Sequence, residues 1–314
     1  MRNVIVTICL AAALPACAAP PAPGGVVTAD GWSRAIARAQ PGQTLKLSGA
    51  FPALDIKGRN WSPSVTIDAT DATIDSLNIE DSSGVTLVGG VYEPSAPRPA
   101  KAAVQANRSS RIVFQSVKVR NAAPGDGIAF AASQDTEIRN SSVDGARNCS
   151  GIFTSTGVTV SGLEVKGCRI DGLDIWYSHQ VTVEKLSCSD FNLVDKHHPD
   201  CVQLLSRKDD TPTSDITIRD SIAVGAMQGF SGFDHGTGGY DRVRIINNTA
   251  RVTYATGVRL MACRQCEVSG NKVETLDGAQ FRANIVTDGD TVRCGNVIAA
   301  GAGKPGQNDP RCRR

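Results

Sequence analysis

Two interleaved patterns recur through most of this 314-residue chain, and they limit what it can fold into more than any other feature. One is a pair of apolar slots two residues apart: Val85/Leu87, Ile112/Phe114, Thr136/Ile138, Val158/Val160, Val181/Val183, Ile216/Ile218, Val243/Ile245 and Cys266/Val268. Successive pairs start 27, 24, 22, 23, 35, 27 and 23 residues apart. The other is a short unit seen as Asp126-Gly127-Ile128, Ser150-Gly151-Ile152, Asp171-Gly172-Leu173, Asp200-Cys201-Val202, Gln228-Gly229-Phe230 and Thr256-Gly257-Val258, with spacings of 24, 21, 29, 28 and 28. Apolar residues two apart put one face of a strand inside. Two ladders sharing one period describe coils stacked into a solenoid, each too small to bury its own apolar residues and stabilised by its neighbours. A β-propeller would need four antiparallel strands per repeat and a period of about 40 to 50 residues.

Before the ladders, Trp32, Ala35, Ile36 and Ala39 lie at helical spacing, with Asp30 placed to cap, and the helix stops before Pro41-Gly42. Such a helix can cover the first coil, whose sheet edge would otherwise be unpaired. The net charge of +2 gives no basic surface for nucleic acid, so no nucleic-acid partner is expected.

The first residues read as an export signal: Arg2, an apolar run from Val4 to Leu14, and small residues around Cys17. Leu14-Pro15-Ala16-Cys17 resembles the lipobox of bacterial lipoproteins, which implies lipidation of Cys17. Ordinary cleavage after Ala18 is the alternative. The expected organisation is therefore a signal over 1–17, a Pro/Gly tether over 18–28 and one solenoid domain over 29–314. The protein would be exported, as a periplasmic or outer-membrane-anchored lipoprotein or alternatively secreted, and monomeric. Its only contact with a membrane would be that anchor.

Setting aside Cys9 and Cys17 leaves Cys149, Cys168, Cys188, Cys201, Cys263, Cys266, Cys294 and Cys312, an even set that in an exported chain suggests disulfides. Cys149 with Cys168, Cys188 with Cys201 and Cys294 with Cys312 are the preferred pairs. Cys263-Arg264-Gln265-Cys266 has the spacing of half a zinc site, but no second pair follows at matching spacing.

Departures from the regular period mark the candidate site. The step from first to second unit lengthens by about six residues at Asp195 to Pro199, and further insertions fall at Arg207 to Thr213 and Asp234 to Gly239, judged by the repeat. Insertions in solenoids tend to line the binding face. These carry His197, His198, Arg207, Lys208, Asp234 and His235. Stacking the second ladder aligns Asp126, Ser150, Asp171, Asp200, Gln228 and Thr256, and two residues beyond the central position it aligns Ala129, Phe153, Asp174, Gln203, Ser231 and Arg259. Asp171, Asp174, Asp200, Gln203 and Arg259 should then share a shallow outer groove beside Trp176 and Tyr177, a mixture of aromatic faces and polar groups suited to a sugar chain.

The pattern from about 43 to 300 resembles the right-handed parallel β-helix of the pectin lyase-like superfamily. The resemblance implies an all-β solenoid of about nine to ten coils with a short N-terminal capping helix, acting on a polysaccharide. Within it, Asp171-Gly172-Leu173-Asp174, Pro199-Asp200, Gln228-Gly229 and Arg259-Leu260-Met261 follow the order of the polygalacturonase motifs. That implies hydrolysis by Asp171 and Asp200, although Pro199, Gln228 and Met261 depart from the pattern. Resemblance to pectate and alginate lyases implies β-elimination instead: calcium on Asp171, Asp174 and Asp200, His197 or His198 as base, Arg259 on a substrate carboxylate and Tyr177 as acid. Gly232-Phe233-Asp234-His235 resembles the signature of mannuronan epimerases without its proline. Elimination stands slightly ahead of hydrolysis, with epimerisation and plain glycan binding as the alternatives.

Overall fold

The computed structural model describes residues 25–96, 101–192, 198–206, 213–233, 238–299 and 309–312. The chain coils as the expected all-β, right-handed parallel β-helix, with one short helix near its N-terminus. It makes about eleven turns rather than nine to ten. The extra turns lie near the start, where Leu54–Lys57, Leu77–Glu80 and Ala102–Asn107 stack without the Asp/Gly signature that marks later coils.

All described pairings are parallel, in a ten-stranded sheet from Leu54–Lys57 to Asn284–Thr287 and a 23-stranded sheet that wraps the remaining faces. The first ladder pairs in the register read from sequence. Val85 and Leu87 face Ile112 and Phe114, then Thr136 and Ile138, Val158 and Val160, Val181 and Val183, and Ile216 and Ile218. All are buried, and apart from Thr136 they belong to one continuous apolar core, within which Phe114 and Phe130 stack with ring centroids 5.0 Å apart.

The corners have their own ladders. The hydroxyls of Ser109, Ser133, Ser155 and Ser178 each accept the backbone N–H of the serine one coil earlier, at 3.1 to 3.2 Å. Asn271 and Asn296 use their side-chain oxygens in the same way toward Asn248 and Asn271. A buried N–H at a bend would otherwise lack a partner.

The helix covers Trp32–Arg38, and its buried Trp32 and Ile36 join the core. Asp30 does not cap it. Asp30 lies in a preceding 3-10 turn over Ala29–Gly31, Gly31 takes the capping position, and the far end is held where the Trp61 indole donates to the Ala39 carbonyl at 3.2 Å. Val26–Val27, in the stretch read as tether, already pairs with Lys46 and Leu47. Among the described residues no helix is long and apolar enough to cross a membrane.

All three preferred disulfides are present, and Cys263–Cys266 closes a fourth in place of a half zinc site.

Candidate functional site

The outward face of the ten-stranded sheet carries the site. One column runs Gly151, Asp174, Gln203, Ser231, Arg259. Phe153, expected in this column, instead pairs with Ala131 and Trp176. Its ring folds back over its own strand, to within 2.3 Å of where a Cβ on Gly151 would sit. Gly151 is therefore the bare floor under Phe153, not the repeat glycine.

That displacement moves the neighbouring column as well. Ser150 pairs with Ile128 and Leu173, so Asn148 rather than Ser150 adjoins Asp171. Asp126 Oδ1 accepts the N–H of Asn148 at 3.2 Å, Asn148 Oδ1 that of Asp171 at 3.3 Å, and Asp171 Oδ1 that of Asp200 at 2.7 Å. One oxygen of Asp171 is thus committed to holding the next coil. Gln228 continues the column, paired with Asp200.

Of the three carboxylates only Asp171 borders a surface depression, and Asp174 and Asp200 lie beneath the surface rather than lining a shallow groove. Asp171 is 4% exposed, and Asp174 and Asp200 are 0% exposed. Above them lies a depression of about 310 Å³ bounded by Arg147, Asn148, Asp171, Trp176, His198 and Gln203. Phe153 packs edge-on against Trp176 at 5.3 Å, and Tyr177 follows at a left-handed corner, 6.4 Å from Trp176. On the other side the Arg259 guanidinium lies 4.4 Å over the Phe233 ring, and Phe233 is 6.0 Å from His198.

Burial sets the electrostatics. It pushes the Asp171 carboxyl up to about 7, with the charge of Asp200 adding to the effect. Asp174 is held well above the carboxylate range by burial, then by the charges of Asp171, Asp126 and Asp200. Asp200 is also raised by burial, but donors from His198, Ser231 and Gln203 oppose the shift. His198 Nδ1 lies 3.4 Å from Asp200 Oδ2, and this contact raises the imidazole, whose side chain is 61% exposed. Gln203 Nε2 donates to the same oxygen at 3.4 Å, while among the described residues Asp200 Oδ1 has no hydrogen-bond partner.

Among the described residues no three His, Cys, Asp or Glu side chains converge to hold a metal, and calcium takes six to eight oxygens. No chemistry is routed through a metal below.

The family model for the right-handed β-helix region matches residues 64–303. The chain belongs to the right-handed β-helix family. No curated protein matches its sequence. Among solved structures this β-helix is similar to PfbA, a surface adhesin of Streptococcus pneumoniae, at 10% identity over 86% of this chain and 85% of the other, TM-score 0.60. An alginate lyase from Paenibacillus sp. aligns at 15% identity over 88% and 98%, TM-score 0.59. An endo-xylogalacturonan hydrolase from Aspergillus tubingensis aligns at 13% over 89% and 87%, TM-score 0.58. At these identities the likeness is one of fold.

The β-helix brings together Asp171, Asp174, His198, Asp200, Gln203, Trp176 and Tyr177 as one neighbourhood, with Arg259 reached through Phe233. His197, Arg207, Lys208, Asp234, His235 and Cys17 lie outside the described residues. Sequence reasoning missed Arg147, which lines the depression and grips Asp126 with two hydrogen bonds of 3.0 Å. The signal was available, because aligning on Cys149 instead of Gly151 gives steps of 22 and 23 from Gly127 and to Gly172, and puts Arg147-Asn148 beside Ile170-Asp171.

Proposed function

We propose that this β-helix is an exported enzyme that hydrolyses a polysaccharide, with Asp171 as proton donor and Asp200 as the base that activates water. The observation that carries this reading is the Asp171–Asp200 pair. Asp171 borders the depression and is pushed up to about 7 by burial, while Asp200 one coil on, also raised by burial, has contacts from His198, Ser231 and Gln203 that favour its charged form. Asp171 gives its proton to the glycosidic oxygen as the bond to the anomeric carbon breaks. A water adds to that carbon and its proton passes to Asp200. Trp176 and Tyr177 offer the aromatic face along which a sugar chain can lie.

Hydrolysis moves ahead of histidine-led elimination on one point. The contact with Asp200 raises His198, which favours the protonated imidazole and works against its use as a base. The similar structures include an alginate lyase and an endo-xylogalacturonan hydrolase as well as a surface adhesin, which supports a glycan partner without choosing the reaction. Four disulfides support export, and anchoring through Cys17 belongs to the same reading.

The test is a panel of uronate and neutral polysaccharides followed by both reducing ends and ultraviolet absorbance, with and without added calcium or chelator. Reducing ends without absorbance are expected, with Asp171→Asn and Asp200→Asn each costing roughly 10² to 10⁴ in rate. Unsaturated, absorbing products would establish elimination. Activity lost in chelator and restored by calcium would give Asp171, Asp174 and Asp200 the ligand role. Binding without turnover for every glycan would end the enzyme reading.

A further inference from the structure

Phe281, 51% exposed, is the most exposed aromatic side chain among the described residues. A single apolar residue at a surface is ordinary; the way this one is held and where it stands give it meaning. It belongs to segment 276–283, between the strands Lys272–Thr275 and Asn284–Thr287. The Leu276 N–H donates to the Val252 carbonyl at 3.1 Å, and the Ala279 N–H turns back onto the Leu276 carbonyl at 3.3 Å. At the far end the Ala283 N–H donates to Thr275 Oγ1 at 2.9 Å, and Ala283 is fully buried. The loop is thus pinned at both ends without using Phe281, whose ring stays outside the core.

Strand order fixes where the ring stands. Asp200–Leu205, Gln228–Gly232, Thr256–Leu260 and Asn284–Thr287 are successive members of the ten-stranded sheet. Segment 276–283 leads into the last of them as His198 and Pro199 lead into the first. Phe281 and His198 therefore share one edge of the outward face, three coil rises or about 14 Å apart along the axis. The depression opens on that same edge, since Asn148 and Asp171 each come just before a strand of the sheet. Between the two lie Ser231 and Arg259, stacked in one column. We propose that Phe281 is a distal sugar-binding platform: a glycan whose reacting linkage sits at Asp171 runs along the coil axis past Arg259 and lays a ring face on Phe281. The proposal rests on the glycan reading above and extends it to a chain that spans several coils. The apolar C–H face of a sugar ring suits the negative face of the aromatic ring, and the exposed Arg282 beside it offers donors to sugar oxygens. An extended glycan needs roughly four residues to cover three coil rises.

The experiment measures binding by calorimetry for the full chain and its Phe281→Ala, Phe281→Leu and Phe281→Trp variants. The probes are oligogalacturonates, oligomannuronates and cello-oligosaccharides of defined length. Chains of roughly two or three residues are too short to join the depression to Phe281, whereas chains of roughly five to eight reach both. For at least one probe series, wild-type affinity should rise between the short and the long chains. Phe281→Ala and Phe281→Leu should each lower long-chain affinity roughly 3- to 10-fold, as loss of one stacked ring implies, and leave short chains unaffected. Phe281→Trp should keep the long-chain gain. An unchanged long-chain affinity in Phe281→Ala, an equal loss for short and long chains, or no binding by any probe would overturn the proposal. Should Phe281→Ala not fold, the contrast between Phe281→Leu and Phe281→Trp still decides it. Product analysis on the same chains separates this proposal from the reaction assignment. Long chains that bind through Phe281 but are never cut would end the reaction assignment and leave the platform standing. Long chains cut and bound equally well by wild type and Phe281→Ala would do the reverse.

Discussion

Asp174, in the strand Leu173–Trp176, and Asp171, just before it, show how two carboxyls three residues apart acquire different duties from their surroundings. Asp171 touches the depression and has a backbone donor, so it can gain and lose its proton near neutral pH. Asp174 has neither, and its folded-state affinity for the proton lies well above that of an unfolded aspartate. By linkage, its contribution to stability is fully present below about pH 4 and is lost as pH rises toward its folded value. Asp174→Asn removes this dependence. The wild type should therefore lose stability relative to the variant by about 1.4 kcal/mol per pH unit above pH 4, read as the difference in chemical denaturation midpoints. A difference constant between pH 4 and 7 would mean that Asp174 is ionised in the folded protein. The identities of Asp171, Asp174, His198, Asp200 and Gln203 were legible from repeat arithmetic. Their burial was not, because period-two alternation says that a side chain leaves the core, not that an aromatic two residues away will roof it.

Strands that pair across coils were legible to the extent that their signal was apolar. The first ladder pairs as read because each slot points into one core and a slip of one residue would expose all of them. The second ladder was read partly through its glycines, and glycine has more than one use. Gly229 sits where an added Cβ would lie 2.1 Å from the Gly257 carbonyl oxygen, a clash with backbone one coil away. Gly151 faces only the ring of Phe153, a side chain able to swing aside. Gly229→Ala should accordingly cost about 1 to 3 kcal/mol or more in stability. Gly151→Ala should cost less, while displacing Phe153 and Trp176 and letting solvent reach Asp174, which thermal melts and tryptophan fluorescence quenching would separate. Equal destabilisation by both would show that Phe153 is held as firmly as the backbone. The Asp30 cap failed as an expectation for a related reason: a seven-residue helix anchored by Trp32, Ile36 and the Trp61 indole needs no side-chain cap.

Across the whole molecule, three of the disulfides divide by the coils they fasten. Cys149 follows Asn148 directly and Cys201 follows Asp200, so Cys149–Cys168 and Cys188–Cys201 fasten the two coils that flank Asp171. Gly172 lies against this staple, its added Cβ being 2.6 Å from the Cys201 carbonyl oxygen and 3.0 Å from Cys188 Sγ. Cys294–Cys312 instead ties the end of the chain to the last coils. Bridges spanning 13 and 18 residues constrain the unfolded chain by comparable amounts, about 3 kcal/mol each. Replacing either pair by serine should therefore lower stability similarly in denaturant. The two variants should differ at the site: without Cys188–Cys201 the strand carrying Asp200 is no longer fixed against Gly172, and the midpoint of Asp171 ionisation should move. Without Cys294–Cys312 the midpoint, and any glycan cleavage, should match the wild type. Stability would be read from denaturation with thiols blocked, and site geometry from an NMR titration of the Asp171 carboxyl carbon. An unmoved Asp171 midpoint in the Cys188→Ser/Cys201→Ser variant would mean that the backbone donor from Asp200 is held by coil stacking alone.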